Sequence, residues 1–559
     1  MSKYNTRAAR AAGRGPPVTE AVPSGQTHEG GAGYARDARS ELFLRATASF
    51  AGEDSFYERA AARDDRMRDL VTGLATDADG FAWLSGFLPW LRAEGNMRTA
   101  PILLAAEAVH ARLQAGLAGG NRQLVASVLL RADEPGEMLA YWRSRYGRAI
   151  PKPVKRGVGD AALALYREYP LLKYDTGTHG IRFADVLALT HPGDRKGSAQ
   201  GGKFAGAWQH DLFAHAIDRR YGRGETPPET LAMIVANKRL RDLAGEDPSV
   251  LLDAERLQEA GLTWEDVLSL ARSRVSKRDL WTALLPSLGY MAAIRNLRNL
   301  DEAGISDADA ARLAERIADP EQVRRSRQLP FRFLSAYLSA PSLRWGHALE
   351  KALDASLANI PELPGRTLVL IDTSASMGNR MSGRSKMSMV QAAALFGLAL
   401  AMKNPRCADV WGFADGQFQV GVTRRGRGIL GPRGQSVLKA TEGFCRQIGR
   451  VGHGTQIARA VAATYSGHDR VVIFTDMQTF PDRNVRWNDR YGRGDVSAAV
   501  PAHIPVYGFN LVGYAHGAMP AGHGNRHEMG GLTDRSFTQI GLIERGAKAD
   551  WPWLDTPAA

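Results

Sequence analysis

The sequence predicts two unlike parts: an irregular α-solenoid of helical repeats, followed by an α/β doubly wound domain. Three observations predict this. From about residue 39 to 360, apolar residues recur at three- and four-residue spacing, with no β-alternating run of useful length. At Pro361 the grammar changes to short continuous apolar runs alternating with helical ones. The length of 559 residues, 44% hydrophobic and 23% charged, suits a chain of several globular domains rather than a fibrous or disordered one.

Residues 1–38 are rich in Gly, Pro, Ala and Thr without a periodic apolar face, and are expected to form an irregular arm. In residues 39–360, FAWLSGFLPWLRAEG, APILLAAEAVHARLQAGL, GDAALALYREY, HDLFAHAIDRRYG, AERLQEAGL, WEDVLSLARSRV and LGYMAAIRNLRNLDEAG each carry a helical apolar stripe. Breaks such as AEGN, DEPGE and GEDPS separate them. No strict period emerges, but many short helices in series make a curved surface suited to a long ligand. In residues 361–559, TLVLID, DVWGFA, QFQVGV, RVVIFTD and IPVYGFNL are predicted strands of a parallel sheet covered on both faces. Helices are expected at Met389–Met402, Ser436–Ile448, Thr455–Tyr465 and in SFTQIGLIERGA.

Composition narrows the function. The two cysteines, Cys407 and Cys445, exclude a disulfide framework and a cysteine-built zinc site. MSKYNTRAARAAGRG has no apolar core of a signal peptide, and the longest apolar run, Ala392–Met402, is far short of the ~20 residues of a membrane helix. A soluble, cytoplasmic protein without a membrane partner is expected. The net charge of +13 is spread over both parts. It favours a polyanionic partner and equally serves solubility.

One constellation points to a metal. The first strand of the second part ends in Asp372-Thr373-Ser374-Ala375-Ser376, placing one carboxylate and two hydroxyls on a turn at the carboxyl edge, where doubly wound sheets bind ligands. Thr455 follows the glycine-rich Val451–Gly454 loop, and Asp476 ends the next buried strand. Hard oxygen ligands from three loops suit Mg2+, which keeps water and accepts an anionic oxygen, and do not suit zinc. The alternative is that Asp372 and Ser374 cap a helix and Asp476 merely ends a strand. The constellation resembles the metal-ion-dependent adhesion site of von Willebrand factor A domains. That resemblance implies Asp372, Ser374, Ser376, Thr455 and Asp476 as direct or water-mediated ligands, with Asp415 matching an acidic residue after the second strand. His516, His523 and His527 sit in a glycine-rich stretch more typical of a surface loop than of a zinc site.

Basic residues punctuate the helical part. Arg143, Arg145, Arg148, Lys152, Lys155 and Arg156 occur without an intervening acid, beside Trp142 and Tyr146. Phosphate contacts plus stacking faces are what single-stranded nucleic acid requires. Further groups are Lys173-Tyr174, His191, Arg195-Lys196, the set Lys238, Arg239 and Arg241, and Arg295 with Arg298 three residues on. Each group alone reads equally as a solvated helix face; together they favour RNA or DNA contact.

The pairing of a helical solenoid with an adhesion-type domain resembles the TROVE-module proteins of the Ro autoantigen family. The resemblance is carried by PVTEAVPSGQTHEGGAGYARDARSELFLRATASF, KYDTGTHGIRFADVLALTHP, LPSLGYMAAIRNLRNLDEAG, LPFRFLSAY, LVLIDTSASM, GHGT and VIFTDMQTF. It implies a ring of HEAT-like repeats closed by the metal domain, and a basic hole that takes single-stranded ends of misfolded RNA. It also implies an outer surface for small noncoding Y RNA, an exoribonuclease as partner, and a monomer in the RNA complex. Lys173 and His191 match the Y RNA site, and Lys152, Lys155 and Arg156 match a helix start on the RNA surface. Asp175-Thr176-Gly177 stands where a basic residue is usual, and His179–Arg182 replaces a Gly-Trp-Ser/Thr-His element. The expected function is an RNA-binding scaffold in RNA quality control, and not an enzyme. The alternatives are a metal-dependent protein-binding adaptor and a phosphodiesterase, for which His453 is the only nearby general base.

Overall fold

The computed structural model describes Gly25–Gln26, Ala32–Gly33, residues 38–48 and residues 60–553. Interruptions fall at 194–203, 357–361, 382–385, 421–435, 479–498, 513–517, 520–524, 531–539, 541–550 and a few single or paired positions. Two short strands, β1 (Gly25–Gln26) and β2 (Ala32–Gly33), pair antiparallel ahead of the helices.

The helical part opens with α1 (Ala38–Ala48), α2 (Ala60–Thr76), α3 (Ala78–Ala93), α4 (Thr99–Gln114), α5 (Asn121–Ser127), α6 (Glu134–Tyr146) and α7 (Lys152–Leu165). It continues through α8 (Glu168–Tyr174), α9 (Phe183–Thr190), α10 (Ala207–Tyr221), α11 (Ala232–Glu246), α12 (Ala254–Glu259) and α13 (Trp264–Ala271). It ends with α14 (Lys277–Leu284), α15 (Tyr290–Ala303), α16 (Asp307–Ala318), α17 (Pro320–Ser326), α18 (Pro330–Ser339) and α19 (Leu343–Ser356). Several starts are fixed by side chains that satisfy otherwise open amides: Asp77 caps α3, Thr263 forms a capping box with Asp266, and Ser306 caps α16. α5 and α7 approach closely at Gly157, where an added Cβ would lie 2.6 Å from the Arg122 carbonyl oxygen. The same seam carries the two-point Arg122–Asp160 pair at 2.6 and 2.7 Å.

The second part is a six-stranded sheet. Its strands are β3 (Thr367–Asp372), β4 (Ala408–Phe413), β5 (Gln417–Val420), β6 (Arg470–Thr475), β7 (Val506–Asn510) and β8 (Arg526–Gly530), in the order β5-β4-β3-β6-β7-β8. β3 and β6 are buried along their whole length, as expected of strands covered on both faces. The helices are α20 (Met389–Lys403), α21 (Val437–Cys445) and α22 (Ile457–Thr464). α20 lies close on β3: an added Cβ at Gly397 would lie 2.7 Å from Ile371.

Two expectations are corrected. The sheet is not wholly parallel: β5 runs antiparallel to β4, with Val410 opposite Val420. Only Ala414, Asp415 and Gly416 separate the two strands, enough for a hairpin but too few for a parallel crossover. His527 lies not in a loop but on β8, its ring against Tyr507 with centroids 5.2 Å apart. His516, His523 and most of the SFTQIGLIERGA segment fall outside the described residues, as does Arg195-Lys196.

The interior divides at about α11. One core gathers α1 to α10 around Phe87, Trp142 and Tyr166. The other runs without a break from the later helices, with Trp345 and Leu349, into the sheet and α20, with Phe396 and Leu400. The two chain regions also meet at the far end. α1 packs against β8, and Trp553 inserts among Trp83, Phe87 and Trp90 at centroid distances of 5.3, 5.1 and 5.4 Å. Trp551 meets Phe43 at 5.4 Å. Such pairs add to the apolar area they bury.

Trp553→Ala is therefore expected to cost about 3 kcal/mol. It should lower the urea midpoint and speed amide exchange in α1 and α3 specifically; unchanged exchange there would count against this packing.

Candidate functional site

At the carboxyl edge of the sheet, β3 delivers Asp372 into a fully buried position. Its Oδ1 accepts the Ser374 N–H at 2.8 Å and its Oδ2 accepts the Thr475 hydroxyl at 2.6 Å. The Ser374 and Ser376 hydroxyl oxygens are 3.2 Å apart. Asp476, directly after β6, is buried as well, and its Oδ1 accepts the Gln478 N–H at 3.2 Å. Burial, and secondarily the charge of Asp476, push the Asp372 carboxyl well above the ordinary range; the Thr475 and Ser374 hydrogen bonds act the other way. Met477, the next residue, is buried with φ of 63°, a left-handed backbone that an L side chain adopts at a cost.

The third oxygen source is stitched to the first. The Ala375 N–H donates to the His453 carbonyl at 3.1 Å, and buried Thr455 lies two residues on. Asp415 holds this loop: its Oδ2 accepts the His453 and Gly454 amides at 2.9 and 3.0 Å. Asp415 thus shapes the loop, which settles its place in the geometry. Thr475 is the residue the sequence set omitted; its position ahead of a strand-terminal Asp was the available signal. Among the described residues no three His, Cys, Asp or Glu side chains cluster as a metal site. The cluster consists of two carboxylates and several hydroxyls, chemistry for a hard cation rather than a soft one.

The basic candidates separate into those neutralised internally and those left open. Arg143 and Arg148 are exposed, at the end of α6 and in the turn after it. Lys152 and Arg156 are exposed and Lys155 half-buried, on the first turns of α7. None of these five forms an ion pair among the described residues. Arg145 is 3.8 Å from the buried Glu107. In the group Lys238, Arg239 and Arg241, two members are paired, Lys238 with Asp242 at 2.9 Å and Arg241 with Asp266 at 2.6 Å. Arg298 pairs with Glu302 at 3.4 Å, while Arg295 beside it is exposed. Arg332 of α18, absent from the sequence candidates, comes near enough to Arg295 to feel its charge; burial first and that repulsion second lower its pKa.

The proposed stacking faces do not stand open. Trp142 is buried and its indole N–H donates to the Ala149 carbonyl at 3.0 Å. Tyr146 lies flat on His110, with centroids 3.7 Å apart, and its hydroxyl binds Glu107. Both rings serve the α4–α6 contact, because alternate sides of one helix end face core and solvent. The accessible aromatics lie further on: Tyr169 is 41% exposed, with the Lys173 ammonium 5.4 Å from its ring centroid. Lys173 is exposed at the end of α8, and His191 caps α9 with a left-handed φ of 48°. Between them Asp175 is buried and receives the Arg182 guanidinium at 2.7 Å and the Phe183 N–H at 2.9 Å. The acid that stands in place of a base thus pins the α8–α9 corner.

Comparison with known proteins fits this architecture. Residues 256–344 match the TROVE domain. Over 83 residues the chain is 41% identical to telomerase protein component 1 of Mus musculus, and 41% identical over 83 residues to that of Rattus norvegicus. These alignments take in 14% of this chain and only 3% of each relative. The crystal structure of the Deinococcus radiodurans Ro (RSR) protein superimposes with a TM-score of 0.60, over 91% of this chain and all of that one, at 17% identity. The chain therefore has the fold of a Ro protein, and its residues 256–344 are similar to the TROVE domain.

Proposed function

We propose that the chain is an RNA-binding scaffold that holds single-stranded RNA ends and small noncoding RNAs of the Y type through their phosphates. The observation that carries this reading is the start of α7. A helix N-terminus carries partial positive charge and ordinarily attracts an acid. Here Pro151 provides no side-chain cap, the first turn has no acid, and Lys152, Lys155 and Arg156 project from it. Arg143 and Arg148 lie just before. Such an arrangement is stabilised when an anion docks on these cations. The TROVE match and the Ro-like fold agree with this reading, and the contact of Trp553 and β8 with the first helices agrees with a closed ring. A cytoplasmic, monomeric protein that hands RNA to an exoribonuclease is the corresponding setting.

The sheet part is read as a von Willebrand factor A domain whose Asp372, Ser374, Ser376, Thr455 and Asp476 would hold Mg2+. The donor set fits: all are oxygens, most are buried, and two carboxylates lie close enough to repel. A bound ion would offer an open position to an anionic oxygen of a partner. The same cluster favours the second reading, a protein-binding adaptor that grips an Asp or Glu through the metal. A catalytic role gains nothing from His453, an exposed residue whose backbone ties down the loop.

Two measurements test these readings. Log affinity for single-stranded RNA is expected to fall against log salt by about 0.7 per neutralised phosphate. Reversing Lys152, Lys155 and Arg156 to Glu should flatten that slope by about 2 and weaken binding at least tenfold; an unaltered slope would remove α7 from the interface. The folded chain holds the Asp372 proton to higher pH than an unfolded chain does. Without divalent metal, raising the pH through that interval therefore favours unfolding, by up to about 1.4 kcal/mol per pH unit. Asp372→Asn should flatten this dependence in chelator. Mg2+ should raise the wild-type Tm more at pH 8 than at pH 5, and should not raise that of the variant; a Tm indifferent to Mg2+ at both pH values would reject the metal site.

A further inference from the structure

The two loops that meet at the Ala375–His453 hydrogen bond carry a charge pattern of their own. Between Asp372 and Asp476 the sequence has only the acids Asp409, Asp415, Glu442 and Asp469. Each is already engaged. Asp409 meets His468 at 2.9 Å and Arg366 at 3.0 Å, and Asp469 accepts the Arg366 N–H at 2.6 Å. Both lie at the amino end of β3, one strand length from Asp372. Glu442 is 3.7 Å from Arg446, and Asp415 is taken up by the His453 and Gly454 amides.

Three cations on the same loops are not neutralised. Asn379 is anchored on the Ser376 carbonyl by its backbone and side-chain N–H groups at 3.1 and 2.7 Å. From there the chain pairs with its own return: the Met389 N–H donates to the Asn379 carbonyl and the Met381 N–H to the Met387 carbonyl, each at 2.9 Å. Arg380 therefore stands opposite Ser388. Side chains alternate across such a pairing, so Met381 and Met387 turn to the core while Arg380 and Lys386 share the outer face. Diagonal neighbours of this kind lie about 7–8 Å apart. Both are exposed, and neither forms an ion pair among the described residues. On the other loop Arg450 is exposed, three residues before His453, with its guanidinium over the Phe418 ring at 5.1 Å and bonded to the Gln447 side chain at 3.1 Å. The buried Asp372–Asp476 pair is thus flanked by exposed cations on two neighbouring loops.

We propose that this edge of the sheet is a second RNA-phosphate site, in which Arg380, Lys386 and Arg450 hold the backbone of a single strand across the Asp372–Asp476 cluster. Mg2+ is commonly held by one or two carboxylates together with phosphate oxygens, which suits this donor set. A lone Asp or Glu of a protein partner would leave the three cations unanswered. A phosphodiester strand carries a charge at every link, so one phosphate faces the oxygen cluster while its neighbours face the cations. In chelator the two carboxylates oppose the strand, so the contribution of these cations depends on divalent metal. The inference rests on the RNA-binding reading and deepens it, because it gives the sheet part the same ligand as α7 in place of an acidic protein.

The test uses the full chain and fluorescein-labelled oligouridine of about thirty nucleotides, read by fluorescence anisotropy in Mg2+ and in chelator at matched ionic strength. Replacing Arg380, Lys386 and Arg450 together by Gln should weaken binding about tenfold in Mg2+ and flatten the salt dependence by about 2, as for three phosphates. In chelator the same variant should lose threefold or less. Far-UV circular dichroism confirms that it folds. The triple reversal of Lys152, Lys155 and Arg156 should weaken binding alike in both conditions. A Gln variant that binds as wild type does in Mg2+, or that loses equally in chelator, overturns the sheet-edge site while leaving α7 and RNA binding standing. A labelled oligoglutamate that binds in Mg2+ as tightly as the RNA, and is lost in the Gln variant, overturns RNA as the ligand of this edge. Failure of wild type to bind the RNA in either condition overturns the RNA-binding reading and this site with it.

Discussion

A helix that begins with cations instead of an acid works against its own backbone dipole, and the reading of this protein depends on that one inverted end. Elsewhere a set of arginines is neutralised by acids. Arg92 and Arg98 lie on Glu134 and Asp133, Arg122 on Asp160, Arg182 on Asp175, and Arg241 on Asp266. The open charges at the α6–α7 junction differ from these pairs, and so does the Arg295–Arg332 approach. Each removes stability that paired charges would keep, and each is relieved by a polyanion. The net charge of +13 is thus less informative than its distribution.

The sheet edge repeats this logic with the opposite sign. Asp372 and Asp476 are buried together, and Met477 beside them takes an uncommon backbone conformation. Asp415 does not join the cluster but fixes the loop that brings Thr455 toward it. The α6–α7 junction therefore gathers positive charge on a surface, and the sheet edge gathers two carboxylates in a buried cluster. Both are expensive for a fold that serves only itself.

The elements most legible in the sequence were those with a strong period. Helices α3, α4, α7, α10, α12, α13 and α15 and the buried strands β3 and β6 follow directly from apolar spacing. The order Asp372, Thr455, Asp476 was readable because strand ends in a doubly wound sheet converge. What escaped were contacts that depend on facing. Nothing local tells that Trp142 turns inward to Ala149, or that Tyr146 lies on His110, since one residue's difference in helix phase decides it. The direction of β5 was misread because hydrophobic alternation carries no polarity; only the shortness of the turn at Asp415-Gly416 reveals it. The role of Asp175 was hidden for a related reason: its partner Arg182 is seven residues away across a corner, outside any periodic pattern.

The placement of Trp553 has a consequence for synthesis. Its indole covers Phe87 and Trp90, residues that leave the ribosome more than four hundred and fifty positions earlier. At roughly 5–20 residues per second, the apolar seat on α3 waits on the order of half a minute to a minute and a half for its cover. During that delay the nascent amino-terminal helices present aromatic surface to the cell, so a chaperone that shields such surface has its longest opportunity at this position.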